Sequence, residues 1–287
     1  MAILSFLNRR GQGEEKAEMS FVDHLEALRW HLVRAVIAIL VMAGIIFAFQ
    51  DEVFDIIILG PLDQSFITYR ALCSFSHWAH VGDTLCMPAP TVKLITTQFG
   101  TQFFSSISIA FIGGFMAAFP YIFWEIWRFI KPALSQKERD SARGAIFWVS
   151  FFFFTGAAFG YFILGPFTFS FLSNFQLGTR HAIVTSPTLD DYIDNLTNVT
   201  LGAGLAFQLP IVSYVLSKVG IITPKFLRTY RKYAVVAILI VAAVITPSPD
   251  WMSQMIVFVP LMLLYELGII ISARIYKKKM KEEKEWK

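Results

Sequence analysis

Long charge-free runs punctuate this 287-residue chain, and they limit what it can fold into more than any other feature. They cover residues 35–50, 94–124, 144–179, 195–217 and 233–249, and a further run, 251–273, is interrupted only by Glu266. Crossing roughly 30 Å of hydrocarbon takes about 20 mostly apolar residues in a helix. The runs therefore predict an all-α membrane protein with six transmembrane helices. Two runs exceed one span, which places helices near 103–127 and 144–166. The first run is short and takes in Leu32 and Val33 while Arg34 reaches out to the headgroups. Run 233–249 would make only about 25 Å of helix, so the fifth helix is expected to be short. Stretches such as 148–154, WVSFFFF, are apolar on every side and lack the alternation of a lipid-facing β-barrel.

Composition agrees. Only 16% of residues are charged and 55% belong to the apolar set, with 29 phenylalanines, whereas a soluble domain carries about 25% charged residues. A soluble core could not hide that surface, and disorder, coiled coil and disulfide-rich modules are excluded by the same numbers. The net charge of +4 does not point to nucleic acid, because the charges cluster between the apolar runs. Assigned alternately to the two sides, all but Arg70, Lys93 and Arg180 of the 25 Lys and Arg residues fall on one side. The positive-inside rule makes that side cytoplasmic and puts both termini there. Residues 1–20 hold no apolar core and are broken by Glu14, Glu15 and Glu18, so they read as a solvated tail. The implied organisation is a tail at 1–19, a membrane domain at 20–276 and a basic tail at 277–287.

The first outer loop, about 51–102, contains Cys73, His77, His80 and Cys86. These intervals fit no standard zinc spacing, and a Cys73–Cys86 disulfide closing a short loop, worth about 3 kcal/mol, is the expected arrangement. No metal site is expected, and His77 and His80 read as surface residues. Pro120, Pro210 and Pro260 lie inside the second, fourth and sixth helices, where each removes a hydrogen bond and bends the axis. Bent helices in a small bundle leave a concave face, and Gln208 and Glu266 are polar groups at membrane depth near those bends. Such groups face protein or water. For Gln208 helix–helix hydrogen bonding is the competing role, and for Glu266 pairing with Lys or Arg is.

No phosphate-cradling G-x-x-x-x-G-K-[ST], no H-E-x-x-H and no G-x-S-x-G occurs. The chain is therefore not expected to be an enzyme or to hold a cofactor. A small-solute secondary transporter is the alternative reading. It would need a midplane site between inverted halves, for which the intramembrane charges are too few.

Several segments together resemble the TatC family, the multispanning receptor subunit of the twin-arginine protein translocase. They are Ser20 to Arg29 (SFVDHLEALR), and Phe119 to Glu138 with its Trp-rich helix end, Lys131-Pro132-Ala133-Leu134 and Glu138-Arg139. Gly160-Tyr161-Phe162 with Pro166-Phe167, Phe207-Gln208-Leu209-Pro210, Ile222-Thr223-Pro224, Arg231-Lys232-Tyr233 and Ile245-Thr246-Pro247 with Asp250 and Ser253-Gln254 follow in family order. The match runs from about residue 19 to 276.

The resemblance implies a Pro-bent six-helix cup in the bacterial cytoplasmic membrane that binds twin-arginine signal peptides of folded proteins. It also implies that export is driven by the proton-motive force, together with the single-span partners TatA and TatB. The implied signal-peptide site uses Glu26, Arg29, Glu138 and Arg139. The family's loop glutamate matches Glu138, while its N-terminal glutamate aligns with Ala27, one position after Glu26, and its basic residue two after Arg29 is His31. Paired carboxylates suit a guanidinium, which is planar and always charged. By the same resemblance Gln208 and Glu266 meet a partner helix or the inserted peptide, and Pro61, Pro120, Pro210 and Asp250 are structural.

Overall fold

A computed structural model of the chain describes residues 21–78, 80, 82–83, 86–90, 92–130, 144–175, 186–246 and 251–285. Those residues are almost entirely helical. The main elements are α1 (Phe21–Ala48), α2 (Ile67–Trp78), α3 (Thr101–Ile130), α4 (Ala145–Phe159) and α5 (Gly165–Asn174). They continue with α6 (Leu189–Ala206), α7 (Leu209–Val219), α8 (Pro224–Thr229), α9 (Arg231–Ile245) and α10 (Trp251–Glu285). A π turn at Gly160–Leu164 joins α4 to α5 as one span, and α6 and α7 form another. Among the described residues, five helices or helix pairs are long and apolar enough to cross a membrane. The sixth, α9, is short as expected, with 15 residues.

Large apolar side chains that cover no protein line the outside of the bundle. Val244 (77% exposed), Phe104 (66%) and Leu263 (66%) would be costly in water and are satisfied by lipid tails. The interior is made instead by close backbone approach, the usual basis of helix association in lipid. Residues 31 and 43 of α1 face residues 125 and 114 of α3, so these helices run antiparallel. A Cβ on Gly114 would sit 2.7 Å from the Ala43 nitrogen, so only glycine allows this crossing. Similarly, a Cβ on Gly160 would come within 2.8 Å of the Thr200 Cα, which presses the α4–α5 span against α6. The Phe119 and Phe153 rings stack 3.6 Å apart and bind α3 to α4. A larger cluster of Leu164, Val199, Ala203, Phe207, Ile238, Val257 and Leu261 joins the remaining spans.

Some boundaries differ from expectation, each for an identifiable reason. The third span reaches Asn174, not residue 166, because the π turn absorbs the register change ahead of Pro166, which sits in the first turn of α5. Pro210 does not bend a continuous helix; it opens α7 after a break at Phe207-Gln208. Pro120 and Pro260 stay inside helices, as expected. The basic stretch after residue 276 continues α10 as far as Glu285.

The loop between α1 and α3 is built, not open. It contains a π turn at Val53–Ile58, a 3-10 turn at Gly60–Leu62 and the helix α2. The carbonyls left over by those turns are each met by a tyrosine hydroxyl. Tyr161 donates to Ile57 at 2.7 Å, Tyr192 to Ile58 at 2.5 Å and Tyr69 to Pro61 at 2.9 Å. Pro61 itself is fully buried. Farther on, Ile95 pairs with the Pro187–Leu189 backbone, and Ser105 donates to Asp190 at 2.8 Å, tying the loop and the start of α3 to the start of α6. The helices, the loop and Phe162 enclose an open groove of about 1520 Å³ lined by Phe54, Leu59, Phe66, Phe103 and Phe162, with Asp51 and Asp55 at its edge.

The packing makes a direct prediction. Gly114→Val should destabilise the detergent-solubilised protein by about 1–3 kcal/mol. Gly44→Ala on α1, where a Cβ meets nothing within 4 Å, should not lower the thermal midpoint. Equal midpoints for the two variants would contradict the crossing.

Candidate functional site at the ends of α1 and α3

The antiparallel pairing of α1 with α3 brings the N-terminal end of α1 against the C-terminal end of α3, and a buried cluster of charged groups forms there. Its centre is Glu125, 1% exposed. His31 Nδ1 donates to Glu125 Oε2 at 2.5 Å. Arg34 Nη1 lies 4.0 Å from the same oxygen, and Arg128 Nη1 lies 3.8 Å from Oε1. Tyr121, one turn before Glu125, turns its hydroxyl toward the carboxylate. Arg128 in turn lies over the Trp124 ring, 5.4 Å from its centroid, and His31 meets Phe129 edge-on. A carboxylate removed from water needs opposite charge and hydrogen bonds; this one has the His31 bond at Oε2 and two guanidinium groups within 4.0 Å, while Oε1 has no hydrogen-bond partner.

Glu125 was not among the residues singled out from sequence, although it stands inside the quoted segment 119–138. It closes the charge-free run 94–124, where a charge reads as the helix end reaching water. The usable signal was the pair of departures on α1. Ala27 and His31 are four residues apart and share a face. His31 looks across to α3, so Ala27 lies one turn nearer the N-terminus on the side of α1 turned to α3. Glu26 and Arg29 are exposed. One residue of helix turns a side chain by about 100°, so Glu26 does not share the Ala27 face. Glu138, Arg139 and Asp250 lie outside the described residues.

The other candidates sit elsewhere. Gln208, in the break between α6 and α7, donates through Nε2 to the Val149 carbonyl at 3.1 Å, a polar link between spans at a place where the helix ladder is interrupted. Glu266 on α10 makes a bidentate pair with Arg231 at the start of α9, at 2.8 and 2.9 Å. Neither lines the groove formed by the loop and the distal helix ends. Cys73 and Cys86 are joined by a disulfide.

An almost all-helical bundle with helices of membrane-spanning length, and with a buried charged cluster at one helix end, defines a multispanning membrane protein. The comparisons narrow this further. The family model described as Sec-independent protein translocase protein (TatC) matches residues 23–260. The TatC protein of Blattabacterium sp. subsp. Periplaneta americana is 40% identical over 268 residues, covering 92% of this chain and 99% of its own length. That of Deinococcus radiodurans is 34% identical, covering 94% and 92%, and that of Aquifex aeolicus 33%, covering 93% and 100%. Two crystal structures of the twin arginine translocase receptor TatC, one of them in DDM, are each 33% identical. They superpose with TM-scores of 0.65 and 0.68, over 88% and 87% of this chain and 99% of theirs. The chain belongs to the TatC family: it is a component of the Sec-independent, twin-arginine protein translocase.

A buried pair whose partners depend on each other gives a non-additive double-mutant cycle. His31→Ala and Glu125→Ala should each destabilise the protein, and the double variant should recover about 1–3 kcal/mol relative to the sum. Additive losses in denaturant or thermal unfolding would show that the two side chains are energetically independent.

Proposed function

We propose that this chain is the receptor of its translocase for signal peptides carrying paired arginines, and that it supports proton-motive-force-driven export of folded proteins. The observation that carries this reading is the family match, which extends over residues 23–260 and includes the segments at the helix ends where acidic and basic residues gather. Glu138, from the segment that follows α3, is the proposed principal acceptor of a signal-peptide guanidinium. Glu26 near the start of α1 is the second, with Arg29 and Arg139 shaping the site.

The charge cluster at α1 and α3 supports this assignment indirectly. Glu125 is already paired with His31 through a hydrogen bond and with Arg34 and Arg128 by charge. Its part is to lock the start of α1, which carries the exposed Glu26, to the end of α3, which Glu138 follows in the sequence. Because Ala27 carries no carboxylate, the acceptor geometry depends on Glu138 and Glu26 alone. An arginine guanidinium offers a planar fork that a carboxylate can accept bidentately, whereas lysine is a point charge. That difference accounts for selectivity between an arginine pair and a lysine pair.

Orientation belongs to the same reading. Arg34 and Arg128 meet at Glu125, Lys218, Lys225, Arg228, Arg231 and Lys232 fall between the end of α7 and the start of α9, and Arg70 and Lys93 belong to the loop between α1 and α3. The positive-inside rule supports both termini in the cytoplasm and a site on the cytoplasmic face of the inner membrane. TatA and TatB, or a TatA-like equivalent, are the proposed single-span partners. Their helices would pack at the break around Gln208 and the neighbouring α10 surface near Glu266 through small and polar contacts.

Site-specific crosslinking of a twin-arginine precursor to residues 20–31 and 132–143 tests the reading. Wild-type precursor should crosslink, a precursor with its arginines changed to lysines should lose at least tenfold, and Glu138→Ala should lose as much with membrane assembly unchanged. Undiminished crosslinking of the lysine precursor would sink the receptor assignment. Undiminished crosslinking to the Glu138→Ala chain would sink only the residue assignment.

A further inference from the structure

The loop between α1 and α3 brings together four side chains that the export reading does not use. Cys73 and His77 stand one turn apart on α2 and share a face. Asp83 and Cys86 come back to them from the segment that follows. One ligand atom from each of Cys73, His77, Asp83 and Cys86 lies within 4.8 Å of all the others. His77 Nε2 is 3.3 Å from Asp83 Oδ1, and Cys86 Sγ is 4.0 Å from that nitrogen and 3.8 Å from that oxygen. A tetrahedral zinc ion with bonds of about 2.0 Å to N and O and about 2.3 Å to S needs ligand-to-ligand edges of roughly 3.3–3.8 Å. Two of these edges, His77–Asp83 at 3.3 Å and Cys86–Asp83 at 3.8 Å, fall within that range, and Cys86–His77 at 4.0 Å lies just above it.

The two sulfurs are bonded to each other in the structure, so the oxidised protein offers no thiolate. Other contacts shape this loop independently of the disulfide. Ser76, fully buried, donates its hydroxyl to the Gly82 carbonyl. The His80 amide bonds the His77 carbonyl at 3.2 Å, the Cys86 amide bonds the Asp83 carbonyl at 3.0 Å, and Gly82 takes a left-handed φ of 71°. Opening the disulfide would therefore free two sulfurs in a loop already folded around them. His77 and Asp83 are 61% and 83% exposed, so ions and reductants in solution reach the site.

We propose that the reduced protein binds a divalent cation of the zinc class through Cys73, His77, Asp83 and Cys86, and that the disulfide and the cation are mutually exclusive occupants of this loop. A dithiol reductant opens the bond in two steps. One of its thiolates attacks a cysteine sulfur to give a mixed disulfide, and its second thiol closes on the first, leaving as a cyclic disulfide with both cysteines as thiols. The cation then displaces the two thiol protons and takes two thiolates, one neutral imidazole and one carboxylate, a closed four-ligand set of structural type.

Cobalt(II) substitution tests this in the full-length chain in detergent. The protein has only two cysteines, so a sulfur-to-cobalt charge-transfer band reports this site alone. After reduction with a phosphine, one equivalent of cobalt should give that band together with the intense visible bands of tetrahedral coordination, and zinc should abolish both. Oxidised protein should give neither. His77→Ala and Asp83→Ala, which retain both cysteines, should each weaken cobalt binding at least tenfold, and their unreduced forms should keep the thermal midpoint of the parent. A reduced protein with no charge-transfer band, or His77→Ala and Asp83→Ala variants that bind as tightly as the parent, would overturn the proposal.

Discussion

A membrane-spanning chain has no water in the hydrocarbon to complete its backbone hydrogen bonds, and the rest of this structure depends on that constraint. Wherever a helix is interrupted, the freed groups have to be met by protein. Between α1 and α2 the turns around Ile57, Ile58 and Pro61 give up their regular ladder, and Tyr161, Tyr192 and Tyr69 supply the missing donors. Between α6 and α7 the ladder breaks at Gln208, whose side chain crosses to the Val149 carbonyl. Between α4 and α5 a π turn carries the span past Pro166 without ending it. At the turns before α2 and at the break before α7, a neighbouring or local polar side chain adds a link between elements.

The same economy places the charged groups. Glu125 is removed from solvent only because α1 delivers His31 and Arg34 to it, and α1 can do so only because Gly114 lets it lie close along α3. Packing in the middle of the membrane and charge pairing at its edge are therefore parts of one contact. The proposed receptor site adjoins that contact: Glu26 stands on α1, and Glu138 follows in the sequence the α3 end that the buried pair holds. Arg231 and Glu266 do the equivalent for α9 and α10, together with the Tyr265 hydroxyl on the Leu227 carbonyl at 2.8 Å.

Much of the architecture was legible in the sequence because lipid makes hydrophobicity nearly sufficient. Charge-free runs located the spans, and the short α9 followed from the length of 233–249 alone. Helix interruptions were harder. Proline marks a lost donor but does not say whether the chain bends, as a run through Pro120 suggests, or stops and restarts, as it does before Pro210. Glu125 escaped notice because a carboxylate at the end of an apolar run looks like a helix reaching water. Its burial depends on a partner 94 residues away, His31. Of the Cys73, His77, Asp83 and Cys86 cluster, Asp83 was not seen, since the spacing matches no common ligand pattern and only the return of the chain after α2 brings it to the others.

The central claim concerns where the arginine pair of a signal peptide is held. A structure of this protein with a twin-arginine signal peptide bound measures it most directly. The account requires the guanidinium groups within hydrogen-bond distance of the Glu138 carboxylate, at the end of the bundle where α1 meets α3, with the His31–Glu125 pair intact beneath them. A peptide seated with its arginines in the groove at the opposite end, or at the helix ends with no carboxylate within reach, would contradict it.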